Sequence, residues 1–155
     1  MTISKAGIFF IKQQESCRLN AYQDIGGVWT IGWGHVGNVR PNDTITQEQA
    51  DALFLQDVQP VVTALNQWLT WPNVKQCEFD AFCSLAYNIG IGALKGSTVL
   101  KRYNFQGPGS DTSEAILWWD KVNGVTSQEL LNRRKAEQSM FLGNPAPYEL
   151  VQCND

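Results

Sequence analysis

Glu15-Ser16-Cys17-Arg18-Leu19-Asn20-Ala21-Tyr22-Gln23-Asp24-Ile25-Gly26-Gly27-Val28-Trp29-Thr30-Ile31-Gly32-Trp33-Gly34-His35 is the stretch that decides the fold. Over residues 19–36 the composition turns to Tyr, Val, Trp, Thr and Ile, broken by Gly26-Gly27, Gly32 and Gly34. That mixture spells short antiparallel strands joined by a tight turn, and nothing else in the chain reads as a convincing sheet. Read as a three-strand ribbon, it is too small to stand alone and needs a body to pack on.

Outward from the ribbon the pattern becomes helical. On its N-terminal side, Ser4 is placed to cap a short helix over residues 5–14, where Ala6, Ile8 and Phe10 or Ile11 recur at helical intervals. On its C-terminal side, Thr46 with Gln49 makes a capping box ahead of Ala50, Leu53, Phe54, Asp57 and Val58. Pro60 has no amide proton, so this helix is expected to kink or restart there before reaching the Trp71-Pro72 break. Asn73 with Gln76 reads as the next cap, opening a helix whose Phe79, Phe82, Cys83 and Ala86 form a buried stripe. That helix is expected to stop at Asn88-Ile89-Gly90-Ile91-Gly92. A shorter helix over 97–103, a loop at Gly107-Pro108-Gly109-Ser110, a helix capped by Asp111 with Glu114 and a last one capped by Thr126 with Glu129 complete the chain. One helix, a small antiparallel sheet and then five or six helices make an α+β fold, with a cleft expected between sheet and helices.

Composition narrows the function. With 155 residues, 43% hydrophobic and 17% charged, the chain is long enough for one compact core. Its apolar runs, such as Gly7-Ile8-Phe9-Phe10-Ile11, fall far short of the ~20 residues of a membrane span, and no signal peptide is visible. Fifteen acidic residues against 12 basic ones, mostly scattered, give a net charge of -3, which argues against nucleic acid as a partner. Within the one dense basic cluster, Arg133-Arg134-Lys135, the second and third residues read as surface. Four cysteines at 17, 77, 83 and 153 are expected as reduced thiols, and Cys77 and Cys83 project from different faces of one helix. The single His35 rules out a site that needs two histidine ligands, no zinc spacing is present, and no metal or organic cofactor is implied.

Glu15 at the end of the first helix, Asp24 at the ribbon's turn and Thr30 on the next strand are the polar groups that stand out. Two carboxylates beside one cleft are what glycosidic bond cleavage requires, one protonated to release the leaving oxygen and one ionised to activate water or stabilise positive charge. Spacing alone does not separate this from two surface acids.

Glu15, eight residues, Asp24, five residues, Thr30 and then Ile31-Gly32-Trp33-Gly34-His35 resembles the phage-type lysozymes, glycoside hydrolase family 24. The resemblance runs on through Leu53-Phe54-Leu55-Gln56-Asp57-Val58, Phe79-Asp80-Ala81-Phe82, Tyr87-Asn88-Ile89-Gly90, Ser97-Thr98, Trp119 and Arg133-Arg134-Lys135-Ala136-Glu137 to Phe141. It implies a lysozyme-like two-lobed fold in a single catalytic domain over 1–155, with a β-lobe at about 16–45, a helical lobe at about 60–142 joined by the first helix, and a tail at 143–155. Cys17, Ser16 and Glu129 depart from the family's usual leucine and glycines, away from the three motif residues.

Carried over position by position, the resemblance makes Glu15 the general acid and Asp24 with Thr30 the groups that activate and hold water, in an inverting hydrolysis. Such a proton donor must be protonated when substrate binds, a state that partial burial favours. Arg133 is expected to reach Glu15, and His35 to pair with Asp57 as a structural link between sheet and helix. The implied substrate is the β-1,4 bond between N-acetylmuramic acid and N-acetylglucosamine in bacterial peptidoglycan. A monomeric phage endolysin made in the host cytoplasm and reaching the wall through a holin's lesion fits this reading. Two alternatives stand beside it: a lytic transglycosylase, which consumes no water, and a non-catalytic wall-binding or phage-structural module. A pI near 5.1 predicts salt-sensitive, modest affinity for an anionic wall.

Overall fold

The computed structural model describes residues 1–24 and 26–144; of the expected tail, residues 145–155 lie outside the described residues. The chain runs α1 (Lys5–Gln14), β1 (Arg18–Gln23), β2 (Trp29–Gly32), α2 (Gln47–Trp68), α3 (Gln76–Ile89), α4 (Ile91–Lys95), α5 (Thr98–Gln106), α6 (Ser110–Ile116), β3 (Lys121–Val122), β4 (Val125–Thr126) and α7 (Gln128–Phe141). This is the expected α+β order.

Residues 78 to 86 of α3 are all buried, so this helix is enclosed on every side instead of along one stripe. It packs against α1, α2, α4 and α7. Phe79, Phe82, Cys83 and Ala86 join Phe10, Ile11, Phe54, Val58, Leu65, Leu94, Tyr103 and Phe141 in one hydrophobic cluster. An enclosed helix must satisfy its polar side chains inside the protein, and α3 does so by spending each on a different neighbour. Glu78 accepts from the Tyr103 hydroxyl of α5 at 2.6 Å, and Ser84 donates to Glu137 of α7 at 2.7 Å. Asp80 accepts from both the backbone N–H, at 3.0 Å, and the hydroxyl of Ser4, the residue that caps α1. A carboxylate at this end also faces the positive pole of the α1 dipole.

Several local expectations change. The ribbon is a two-stranded hairpin with a bulge between Arg18 and Tyr22, and its third pairing is a single bridge from Asn20 to Thr44. A second hairpin, β3–β4, was not anticipated; it closes through Asn123-Gly124, both at positive φ as a two-residue turn demands. Thr126 belongs to β4, and Ser127 caps α7 in its place. Asn73 sits in a left-handed turn with φ 63°, while Glu78 reaches back to the Lys75 N–H and starts α3 two residues later. Gly109, not Asp111, precedes α6, and α4 fills the region read as a break after Gly90. At Pro60 α2 continues without interruption, because Val58, Val61, Val62 and Leu65 bury on both sides of the missing amide. Cys17 is disulfide-bonded, contrary to the expectation of reduced thiols, whereas Cys77 and Cys83 are free.

Gly7 is where α1 comes nearest to α3. A Cβ there would lie 2.7 Å from the Asp80 Cγ and 2.8 Å from the Ile3 Cγ1, so only glycine permits the Ser4–Asp80 contact at this distance. We predict that Gly7→Ala pushes α1 off α3 at a cost of about 1–3 kcal/mol, a drop of several degrees in Tm despite alanine's better helix propensity. A melting curve at or above the parent's Tm counts against this packing.

Candidate active site

Glu15 ends α1: its backbone leaves the helix (φ -100°, ψ 141°) while its N–H still bonds the Ile11 carbonyl. From that position the side chain, 23% exposed, meets Arg133 of α7, whose Nη1 donates to Glu15 Oε1 at 2.7 Å. Arg133 is almost wholly buried, and its Nε donates at 3.3 Å to Oε1 of the fully buried Glu137 one turn on. Arg134 Nη2 donates to the same oxygen at 2.9 Å. Burial pushes the Glu137 pKa upward against the pull of Arg134 and Arg133.

Asp24 and Thr30 sit across the hairpin turn from one another and share Val28. The Val28 N–H donates to Asp24 Oδ1 at 2.8 Å, and the Thr30 hydroxyl donates to the Val28 carbonyl at 3.0 Å. Gly27, at φ 77°, and the Gly27 N–H bond to the Asp24 carbonyl close the turn. Asp24 is exposed and Thr30 buried. With its proton committed to Val28, the Thr30 oxygen retains lone pairs that can accept a hydrogen bond.

The hairpin is held to the helices through Trp33. Its indole N–H donates to Asp51 Oδ1 of α2 at 2.8 Å, and its carbonyl accepts from the Tyr87 hydroxyl of α3 at 3.0 Å. Lys12 of α1 lies over its ring and pairs with the same Asp51 oxygen at 2.6 Å. Two residues on, His35 Nδ1 faces Asp57 Oδ1 of α2 at 2.9 Å and its Nε2 faces the Gly37 carbonyl at 2.8 Å. Both ring nitrogens are thus engaged in structural contacts.

Of the six expected site residues, three sets therefore come together: Glu15 with Arg133, His35 with Asp57, and Asp24 with Thr30 through Val28. Among the described residues no hydrogen bond joins Glu15 to Asp24 or Thr30.

The family model for phage lysozyme matches residues 12–137, a range that contains all of these groups. The chain belongs to the phage lysozyme family. It is 42% identical over 145 residues to the endolysin of Acyrthosiphon pisum secondary endosymbiont phage 1, covering 91% of this chain and 98% of that one. To the endolysin of Salmonella phage P22 it is 40% identical over 147 residues, 92% and 99% of the two chains. The solved endolysin from Escherichia coli O157:H7 phage FAHEc1 superposes with a TM-score of 0.87 at 39% identity, over 96% of this chain and 98% of the other.

Several residues around these candidate groups escape the motif. Arg134 is fully buried, which corrects its reading as surface, and only Lys135 of the basic cluster is exposed. Glu137 was visible as an acid four residues after Arg133, the spacing at which helix side chains meet. Tyr87 and the Lys12–Asp51 pair carry no such signal, since each acts across elements distant in sequence. Trp118 is 56% exposed and lies beside Arg102.

Burial alone would raise the Asp51 pKa, but donations from Lys12, Trp33 and Gln47 outweigh it and hold the carboxyl below the usual range. A lowered native value means that the stabilisation is complete above the unfolded aspartate value of about 3.9 and is lost as pH falls through the native one. Asp51→Asn is therefore expected to destabilise the fold at pH 7 by about 1 kcal/mol after solvent screening of a half-exposed carboxylate, seen as a lower Tm, with the deficit shrinking towards pH 3. A deficit that is the same in melts at both pH values contradicts this assignment.

Proposed function

We propose that this chain is an endolysin, a muramidase that hydrolyses the β-1,4 bond between N-acetylmuramic acid and N-acetylglucosamine in peptidoglycan. The observation that carries the reading is the placement of two carboxyls in opposite settings. Glu15 is held at a helix end against a buried arginine, and Asp24 is exposed on a hairpin turn beside a hydroxyl with free lone pairs. Glu15 delivers a proton to the leaving oxygen as the glycosidic bond breaks. A water held by Thr30 gives a proton to Asp24 and attacks the anomeric carbon from the opposite face, inverting its configuration. Arg133 holds Glu15 in place, and the His35–Asp57 pair fixes the exit of the hairpin.

On this reading the chain acts as one domain whose hairpin lobe and helical lobe grip a glycan strand between them, and it works as a monomer. Among the described residues no helix is long and apolar enough to cross a membrane. We place synthesis in the host cytoplasm, with access to the wall through a membrane lesion made by a separate holin.

Glu15→Gln is expected to lower turnover of purified peptidoglycan by about 10²- to 10⁴-fold, the usual worth of a positioned general acid. Retained hydrolysis in a folded Glu15→Gln protein removes the proposed donor. In H₂¹⁸O the parent enzyme should place one labelled oxygen at each new reducing end, and NMR before mutarotation should show the α-anomer first. An unlabelled anhydro product would assign the chain to the transglycosylases.

A further inference from the structure

Two guanidiniums converge on one fully buried carboxylate. Glu137 Oε1 accepts from Arg133 Nε, Arg134 Nη2 and Ser84 Oγ, and Arg134 Nε lies 2.8 Å from Oε2 outside hydrogen-bond geometry. Arg133 Nη2 and Arg134 Nη1 are buried with no acceptor among the described residues, so the cluster has donors in excess. The carboxylate that Arg133 reaches beyond Glu137 is Glu15. Its charges balance when Glu15 is ionised, and one positive charge is in excess when Glu15 carries the proton that hydrolysis needs.

We propose that Glu137 is a positioning residue for the hydrolysis: it fixes the Arg133 guanidinium edge-on to Glu15 and takes up part of its charge, so that Glu15 can hold its proton until substrate arrives. Glu137 is too deeply buried to touch a glycan, and acts only through Arg133. The inference rests on Glu15 being the general acid. Without Glu137, Arg133 faces Glu15 with its full charge, which favours the ionised form of Glu15 and disarms it at lower pH. Other groups around the pair are Arg134 on α7, Ser84 on α3, and Tyr87 on α3, whose hydroxyl burial, Asp57 and Glu15 hold above the ordinary tyrosine range. None of these supplies a second anion to Arg133.

The test is the pH profile of kcat/KM on purified peptidoglycan for Glu137→Gln beside the parent, each shown folded by its melting curve. The alkaline limb, where the acid loses its proton, should move down by about half to one pH unit, the size expected when one neighbouring charge is removed. A folded Glu137→Gln whose profile is lower in amplitude but unmoved overturns the proposal and leaves Glu137 a purely structural residue. Should Glu137→Gln not fold, Glu137→Asp keeps the charge but shortens its reach to Arg133; the alkaline limb should then move the same way by a smaller amount, and an unmoved limb overturns the proposal. Activity in Glu15→Gln would instead sink the underlying assignment, so the two failures are distinguishable.

Discussion

Arg133 is a cation that cannot shed its proton and has almost no contact with water, so the chain must supply it with anions wherever it goes. It has two, and they come from different parts of the molecule: Glu137 on its own helix and Glu15 at the end of α1, 118 positions away in sequence. Removing Glu137 takes away the fully buried partner, a penalty of about 3–5 kcal/mol, whereas Glu15, partly open to water, costs less to lose. The position of α1 against α7 is thereby fixed by electrostatics in a low-dielectric setting, where the interaction is much stronger than between the same groups in water.

The hairpin is secured by a different device. A two-stranded ribbon is marginal by itself, and the Asp24–Val28–Thr30 turn needs more than strand pairing to stay in one place. Trp33 supplies it, buried to 1% exposure and bonded or stacked to residues of α1, α2 and α3. Gly32 contributes through its backbone: at φ 62° it occupies the left-handed region that favours glycine, while a Cβ there would lie 3.4 Å from the Ala50 Cβ, an ordinary van der Waals contact with α2. The strand that carries Thr30 is thereby tied to the core on three helices.

Much of this was legible in the sequence because the signals are local. Ser4 and Thr46 stand where a helix needs a side-chain acceptor, and the structure uses each as such, whereas Ser97, read as the first residue of its helix, is its cap. The i, i+3, i+4, i+7 run from Phe79 to Ala86 marked the core helix, and Glu15, Asp24 and Thr30 stood at recognisable spacings. What local pattern could not show was that α3 is enclosed all round, since Glu78, Asp80 and Ser84 look like a solvated face until Tyr103, Ser4 and Glu137 are seen to meet them. The same blindness made Arg134 look like surface. Caps were misplaced where two candidates lay within a few residues: Asn73 yielded to Lys75 because Glu78 closes the box there, and Thr126 to Ser127 because a strand pair claimed the threonine. A two-residue strand such as β3 offers too few positions for a period-two pattern to register.

The three helices that bear on Glu15 form a closed circuit. Asp80 of α3 holds Ser4 at one end of α1; ten helical residues, roughly 15 Å, lead to Glu15 at the other end. Glu15 meets Arg133 of α7, Arg133 meets Glu137, and Glu137 returns to α3 at Ser84, one turn beyond Asp80. A circuit of rigid rods closed by hydrogen bonds fixes relative rotation and translation together: sliding α1 along its axis stretches both its contacts at once, and turning α7 withdraws Arg133 and Glu137 from opposite partners. The joints at Glu137 are buried, whereas those at Ser4 and Glu15, the two ends of α1, are only partly so and are where solvent can compete. If the Glu15–Arg133 joint opens, α1 is still tied to α3 at Ser4 and α7 at Ser84, so the other two contacts hold both helices against the core helix.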